Sequence, residues 1–412
     1  MRKFAALATV SVVALAGVVF AAAGGNKVAG AGAVLLPASA AAGYQVSAAP
    51  TVAAAPGSAI PDSWICVFKA GSVPAGNEQA EANRVVGKAG GRVGHVYRYA
   101  LQGFSINLPA PGAAAVAAHN PNIDHCAPDQ IATIIDPVNA LARPGGGGGA
   151  TSETTPVGIT RVGGGLATYT GTGRAFVIDS GVDLTHPDLV VSTTLSRNFV
   201  SRETSPNDLN GHGSHVAGTI AAKKGNSLGV VGVAPGATII AVRVLDRRGS
   251  GAYSDVIAGV DYVATPGVGR PGDVANMSLG GPVSTDLDTA VINASNSSGV
   301  IFALAAGNET DDANNHSPAR ADGPNIYTIA AVNASDTFAS FSNYSVIGDP
   351  VDFAEPGVSI LSTWKDGGYN TISGTSMATP HMAGILLYGR PGTSGQSSAA
   401  PNGVRFPIGI KP

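Results

Sequence analysis

The chain has 412 residues, 44% of them hydrophobic and 12% charged, with a formal net charge of −3. That composition supports a sizeable core, excludes disorder along the whole chain and argues against nucleic acid as the main partner. The two cysteines, Cys66 and Cys126, exclude a disulfide-dense scaffold and any CxxC-type zinc or redox site.

In chain order, Met1-Arg2-Lys3 and the uncharged stretch Phe4–Ala23, which closes on small residues, predict a secretory signal over 1–23. Residues 24–58 are rich in Ala, Gly, Ser and Pro and offer little to pack. From Trp64 the character changes. Strand Trp64–Phe68, helix Glu78–Val86, strands Arg92–Arg98 and Gly103–Leu108, helix Ala113–Ala118 and strand Ile123–Cys126 follow in β-α-β-β-α-β order. This is the order of a small α+β, ferredoxin-like split βαβ unit, assigned to 59–135. Its first and last strands are neighbours, which predicts a Cys66–Cys126 disulfide. Residues 136–153 contain Pro144 and five successive glycines, a linker expected to hold a processing site.

Beyond the linker, apolar strands Ala175–Ile178, Thr238–Leu245, Val274–Leu279, Val300–Ala306 and Asn325–Val332 alternate with other segments. Those that read as helices are Gly213–Ala222, Tyr253–Ala264, Thr285–Ser295 and Met377–Tyr388. The alternation predicts an α/β domain over 154–390 with a parallel sheet flanked by helices. Pro391 and Gly392 stop the last helix, and 391–412 reads as an irregular tail.

Functional groups in such sheets gather beyond the carboxyl ends of strands. Asp179 ends Phe176-Val177-Ile178, and Asn308 follows Ile301–Ala306 with Gly307 between. His212 and Ser376 each open a helical stretch. A serine hydroxyl needs a base to take its proton, and that base needs an orienting anion. Ser376, His212 and Asp179 supply those parts, and the Asn308 amide with the Ser376 N–H supplies donors for an oxyanion. Taken singly, each residue reads equally well as a turn, a cap or a helix start. A GxSxG elbow does not fit, because no Asp or Glu follows Ser376. His212 and His215 lack the HExxH context of a zinc pair, and no Walker-type phosphate loop is present.

Three segments carry a resemblance: Val177-Ile178-Asp179-Ser180-Gly181-Val182, Gly211-His212-Gly213-Ser214-His215-Val216-Ala217-Gly218-Thr219 and Gly374-Thr375-Ser376-Met377-Ala378-Thr379-Pro380-His381. Together they resemble the subtilisin-like serine proteases, in particular the proteinase K-like branch; the order Asp, His, Ser is that of subtilisin itself. Tyr99-Ala100-Leu101-Gln102-Gly103-Phe104-Ser105 is similar to part of that family's inhibitory propeptide. The resemblance implies a secreted, monomeric endopeptidase, without membrane or nucleic-acid partners, that processes itself and is blocked by its own propeptide. The mature chain is expected to begin between about 143 and 153.

The implied roles are nucleophile for Ser376, base for His212, orienting acid for Asp179 and oxyanion donor for Asn308. Gly249, Ser250, Gly251 and Tyr253, with Ser278, Leu279 and Gly280, are expected to hold an extended peptide by its main chain. Ala306 and Gly307 belong to the wall of the P1 pocket; with no acid seen in these segments, an apolar or aromatic P1 is expected. A structural Ca²⁺ on Asp352 and the carbonyls of Pro324 and Ile326 is implied as well. The tail departs from the family pattern, which leaves one alternative, an inactive secreted binder with a protease fold.

Overall fold

The structure is a computed structural model that describes residues 57–135, 152–201, 203–345 and 350–412. The signal, nearly all of the segment after it and most of the linker therefore lie outside the described residues.

The first part of the fold runs β1 (Ala59–Phe68), α1 (Glu78–Ala89), β2 (Arg92–Tyr97), β3 (Gly103–Asn107), α2 (Ala110–His119) and β4 (Ile123–Ile134). The strands lie side by side in the order β4-β1-β3-β2, all antiparallel, as the split βαβ reading requires. Phe68, Val85, Val86, Phe104, Ile106 and Val116 fill a small core under the helices. Cys66 and Cys126 stand opposite each other in the β1–β4 register and form the predicted disulfide, which closes a separation of 60 residues.

The second part continues with α3 (Val157–Arg161), β5 (Arg174–Asp179), β6 (Arg197–Asn198), α4 (His212–Ala221), β7 (Thr238–Arg243), β8 (Ser250–Ala252) and α5 (Tyr253–Ala264). Then come β9 (Val274–Met277), β10 (Leu279–Pro282), α6 (Thr285–Ser298), β11 (Ile301–Ala305), β12 (His316–Ser317), β13 (Ile326–Val332) and β14 (Val351–Pro356). The chain closes with β15 (Ile360–Trp364), β16 (Gly368–Ile372), α7 (Thr375–Leu386), β17 (Gly392–Gln396) and β18 (Pro407–Ile410).

Seven strands form a parallel sheet in the order β14-β13-β11-β9-β5-β7-β6. Its two faces feed separate cores: Phe176, Ile178, Ile240 and Val242 point toward α5 and α6, whereas Ala175, Val177, Ile239 and Ala241 point toward α4 and α7. Burial on both sides is why these strands read as unbroken apolar runs.

Three features differ from the sequence reading. Val274–Leu279 is not one strand: β9 ends at Met277, the chain turns at the buried Ser278, and β10 leaves the parallel sheet for an antiparallel one. β4 does not stop near Cys126 but runs on to Ile134, because β8 and β10 offer it edges to pair with. The tail is a hairpin of β17 and β18 rather than irregular chain. Its apolar anchors, Phe406 and Ile408, pack with Ala330, Val332 and Ala354. The Gly409 N–H donates to Glu355 Oε1 at 2.8 Å, and burial pushes that carboxyl well above the usual carboxylate range.

The disulfide cross-links the small domain 59–135, and closing a loop of this length contributes about 4 kcal/mol through the unfolded chain. In a Ser376→Ala background, Cys66→Ala with Cys126→Ala is expected to lower the unfolding midpoint of that domain selectively. Calorimetry of the two precursors checks this, with the second domain's transition as the internal reference.

Candidate active site

α4 begins at His212 because Gly211, at φ 116°, takes a left-handed conformation that other residues resist. One residue on, Gly213 lies so close to the Gly181 carbonyl that a Cβ would collide with it. The first turn of α4 therefore packs directly on the chain leaving β5. This contact brings the His212 and Asp179 side chains together: Nδ1 lies 2.9 Å from both carboxylate oxygens, with the residues 1% and 0% exposed. Asp179 Oδ1 also accepts the Ser180 N–H at 2.6 Å. With Nδ1–H committed to the carboxylate, Nε2 is the acceptor; it is buried and has no hydrogen-bond partner among the described residues.

Ser376 stands in the first turn of α7, after Gly374. Pro380 sits inside this helix and has no N–H to give the Ser376 carbonyl. The Ser278 hydroxyl supplies that bond instead, at 2.9 Å, which ties the turn between β9 and β10 to the start of α7. The Ser376 hydroxyl points toward the carbonyls of Ser278 (3.1 Å) and Ile135 (3.3 Å). It is not hydrogen-bonded to His212. The Asn308 side chain is oriented by its oxygen, which accepts the Thr375 N–H at 2.9 Å and the Thr375 hydroxyl at 3.0 Å. The amide nitrogen is thereby turned to the Gly374 side, toward the loop that leads into Ser376.

A cleft runs along this group, and β4 lies in it. Ile131, Ala132 and Thr133 pair with Ala252, Gly251 and Ser250 of β8, while Thr133 and Ile134 pair with Gly280 and Leu279 of β10. The Ile134 N–H donates to the Gly249 carbonyl at 2.8 Å. Both expected main-chain segments thus flank an extended peptide. Tyr253 starts α5 and donates its hydroxyl to the Pro282 carbonyl at 2.6 Å, bracing β10 from behind.

Next to Ile135 opens a cavity of about 310 Å³, lined by Gly280, Ala305, Ala306, Gly307, Glu309 and His316 among others. The segments read as holding the substrate contain no acid, and Glu309, just beyond them, also stands on the wall, held by the Asn343 amide at 2.7 Å. His316, also on the wall, lies 3.3 Å from Asp311 Oδ2. Glu309 directly follows Asn308 in the chain, so the loop continuing from that residue was the available signal.

Asp352, on β14, faces the start of β13 and accepts the Thr328 N–H at 2.9 Å. Among the described residues no group of three or more His, Cys, Asp or Glu could hold a metal. A cation here would rest on one carboxylate and neutral carbonyl oxygens, a hard-oxygen set that fits Ca²⁺ without a second charge.

A family model described as Subtilase family, Peptidase S8, matches residues 176–390. The chain belongs to the subtilase family. It is similar to proteinase R of Parengyodontium album, 36% identical over 81% of this chain and 80% of that protein. The extracellular serine proteinase of Thermus sp. (strain Rt41A) is 41% identical over 74% of this chain and 70% of that protein. Alkaline serine exoprotease A of Vibrio alginolyticus is 39% identical over 79% of this chain, which spans 60% of that protein's length. This subtilase is a subtilisin-like serine endopeptidase that acts on proteins. No helix among the described residues is long and apolar enough to cross a membrane.

Two further histidines of the subtilase are fully buried behind the cleft. Burial pushes His215 down to about 3 and His381 down to about 4, and carbonyls of Ile360 and Met377 hold them. Their folded values lie under the ordinary 6.5, so the stability they permit is complete above about pH 6.5 and is lost as pH falls. In a Ser376→Ala background, His381→Gln is expected to gain on the parent by about 1.4 kcal/mol per pH unit from about pH 6.5 down to about 4. Denaturant titrations across that range read the difference.

Proposed function

We propose that this subtilase is a secreted precursor that cuts its own chain after Ile135 and is then held inactive by residues 59–135. The observation that carries the reading is the approach of the Ile135 carbonyl to Ser376 Oγ, 3.3 Å, at the end of a strand already paired on both sides. A peptide bond so presented is in reach of attack. The hydroxyl swings from the Ser278 carbonyl to His212 Nε2, gives up its proton there, and Oγ adds to the carbonyl carbon. Asp179 keeps the imidazole in the right tautomer and stabilises its protonated form. The Asn308 amide and the Ser376 N–H receive the oxyanion. His212 returns the proton to the leaving amine, and water entering by the reverse route frees the acyl group.

The same contacts account for inhibition after the cut, since the ladder on β4 does not depend on the broken bond. Asp129 is wholly buried between the two domains and accepts the Ser254 N–H (3.1 Å) and hydroxyl (2.6 Å) at the start of α5. In return, Asp261 of α5 accepts the N–H groups of Arg98, Tyr99 and Ala100 at 2.7–3.0 Å. An apolar P1 is supported by Ile135 and by Ala305 and Ala306 on the pocket wall. Ca²⁺ on Asp352 with the Pro324 and Ile326 carbonyls would brace the β13–β14 edge. A monomer is the working assembly.

A fluorophosphonate probe is expected to label the wild type and not Ser376→Ala, with the latter remaining uncut. N-terminal sequencing at the earliest times of processing is expected to read a start at residue 136, and sequencing of the fully matured chain to read a later start, between about 143 and 153, left by trimming. Normal processing of Ser376→Ala would mean that another protease does the work. For the cation, Ca²⁺ is expected to raise the melting temperature of the Ser376→Ala chain, and Asp352→Asn to remove most of that rise; an equal rise in both excludes Asp352 as a ligand.

A further inference from the structure

We propose that Asp208 is the positioning residue of the catalytic base: a buried carboxylate that fixes His212 relative to Asp179 without touching either side chain. The proposal rests on the triad reading above. Asp208 lies four residues before His212 and is 1% exposed. Its two oxygens receive five donors. Oδ1 accepts the Ser180 hydroxyl at 3.0 Å and the N–H groups of Asn210 and Gly211, each at 2.9 Å. Oδ2 accepts the Ser214 N–H at 2.9 Å and the Ser214 hydroxyl at 2.7 Å.

The donors come from both halves of the base assembly. Ser180 is the residue after Asp179, whereas Gly211 and Ser214 bracket His212. Ser180 adds a direct stitch, because its oxygen also accepts the Gly213 N–H at 3.1 Å. The backbone of Asp208 is itself anchored, donating its N–H to the Val182 carbonyl at 3.2 Å. One carboxylate thus joins the end of β5 to the first turn of α4, the joint across which the Asp179–His212 bond is made.

The chemistry of the site suits only an ionised carboxylate. All five partners are N–H or O–H groups, so a side chain with no hydrogen to donate is required. Burial raises the carboxyl above the ordinary aspartate value, and the donors oppose that rise. An amide at this position has one oxygen. Whichever way it turns, its NH₂ faces at least one main-chain N–H that cannot accept, of Ser214 on one side or of Asn210 and Gly211 on the other, and the joint must open to relieve that conflict. A shift of about 1 Å in a catalytic group costs on the order of 10²-fold in rate. Substrate is held by β8 and β10, and none of the five donors to Asp208 comes from either strand, so the loss belongs in kcat and not in KM.

Asp208→Asn, matured and assayed on a peptide substrate, is expected to lower kcat about 10²-fold with KM within about twofold. Ser214→Ala, which removes one donor, is expected to lose about tenfold, and Ser214→Thr, which keeps the hydroxyl, to stay within about twofold of wild type. In a His212→Ala background, with residues 59–135 removed by an added protease, Asp208→Asn is expected to have no further effect on the residual rate of fluorophosphonate labelling, because a residue acting through His212 has nothing left to act on. A purely structural role would instead raise KM, lower the melting temperature and persist without His212. Wild-type kcat in Asp208→Asn overturns the proposal, as does equal activity of Ser214→Ala and Ser214→Thr; if Asp208→Asn fails to fold, the Ser214 pair decides. A fully active His212→Ala would sink the triad reading instead, an outcome separate from either.

Discussion

Both faces of the seven-stranded parallel sheet are covered by helices, so polar side chains can leave it only at its ends. That constraint organises the molecule. Asp179 sits at the carboxyl end of β5, and Asn308 lies three residues beyond that of β11. The helices that follow start at the same rim, which is where His212 and Ser376 stand. The side chains need not be aimed by elaborate local structure, because the sheet delivers them to one edge and glycines let the helix starts close on it. Gly213 against the Gly181 carbonyl is the tightest of these approaches, and no residue with a Cβ could occupy it.

The first domain exploits what the sheet leaves open. β8 and β10 are short strands outside the parallel sheet, each with an edge that pairs with β4. Such edges recruit a strand, and β4 is long enough to serve two purposes. Its first half pairs with β1 and carries the disulfide; its second half fills the cleft up to Ile135. The register of the first half fixes the register of the second, since a slip of one residue would turn every side chain to the opposite face. Asp129 and Asp261, exchanged as acceptors across the interface, resist sliding along α5.

Much of the fold was legible in the sequence. The β-α-β-β-α-β order, the alternation of apolar strands with helices, and the pairing of Cys66 with Cys126 all followed from periodicity and topology. What stayed hidden depends on partners distant in the chain. Ile131–Ile134 became strand because β8 and β10 wait for it, and nothing local marks that. Leu279–Pro282 left its run of apolar residues because Ser278 is held by the start of α7. The tail hairpin has polar, exposed positions over Gly392–Gln396, so its anchoring by Phe406, Ile408 and Glu355 was invisible to pattern alone.

For the active site the division is similar. The motifs around Asp179, His212 and Ser376 together point to the proposed chemistry, because few residue sets suit a serine nucleophile and their glycines encode the required turns. The sequence likewise determined that Asn308 follows a strand end. Only the tertiary structure decided that Glu309 and His316 face the pocket, that Ile135 meets Ser376, and that Asp208 joins the end of β5 to the start of α4. Those relations are set by distance across the fold, and main-chain donors such as the Gly211 and Ser214 N–H groups have no letter in a sequence.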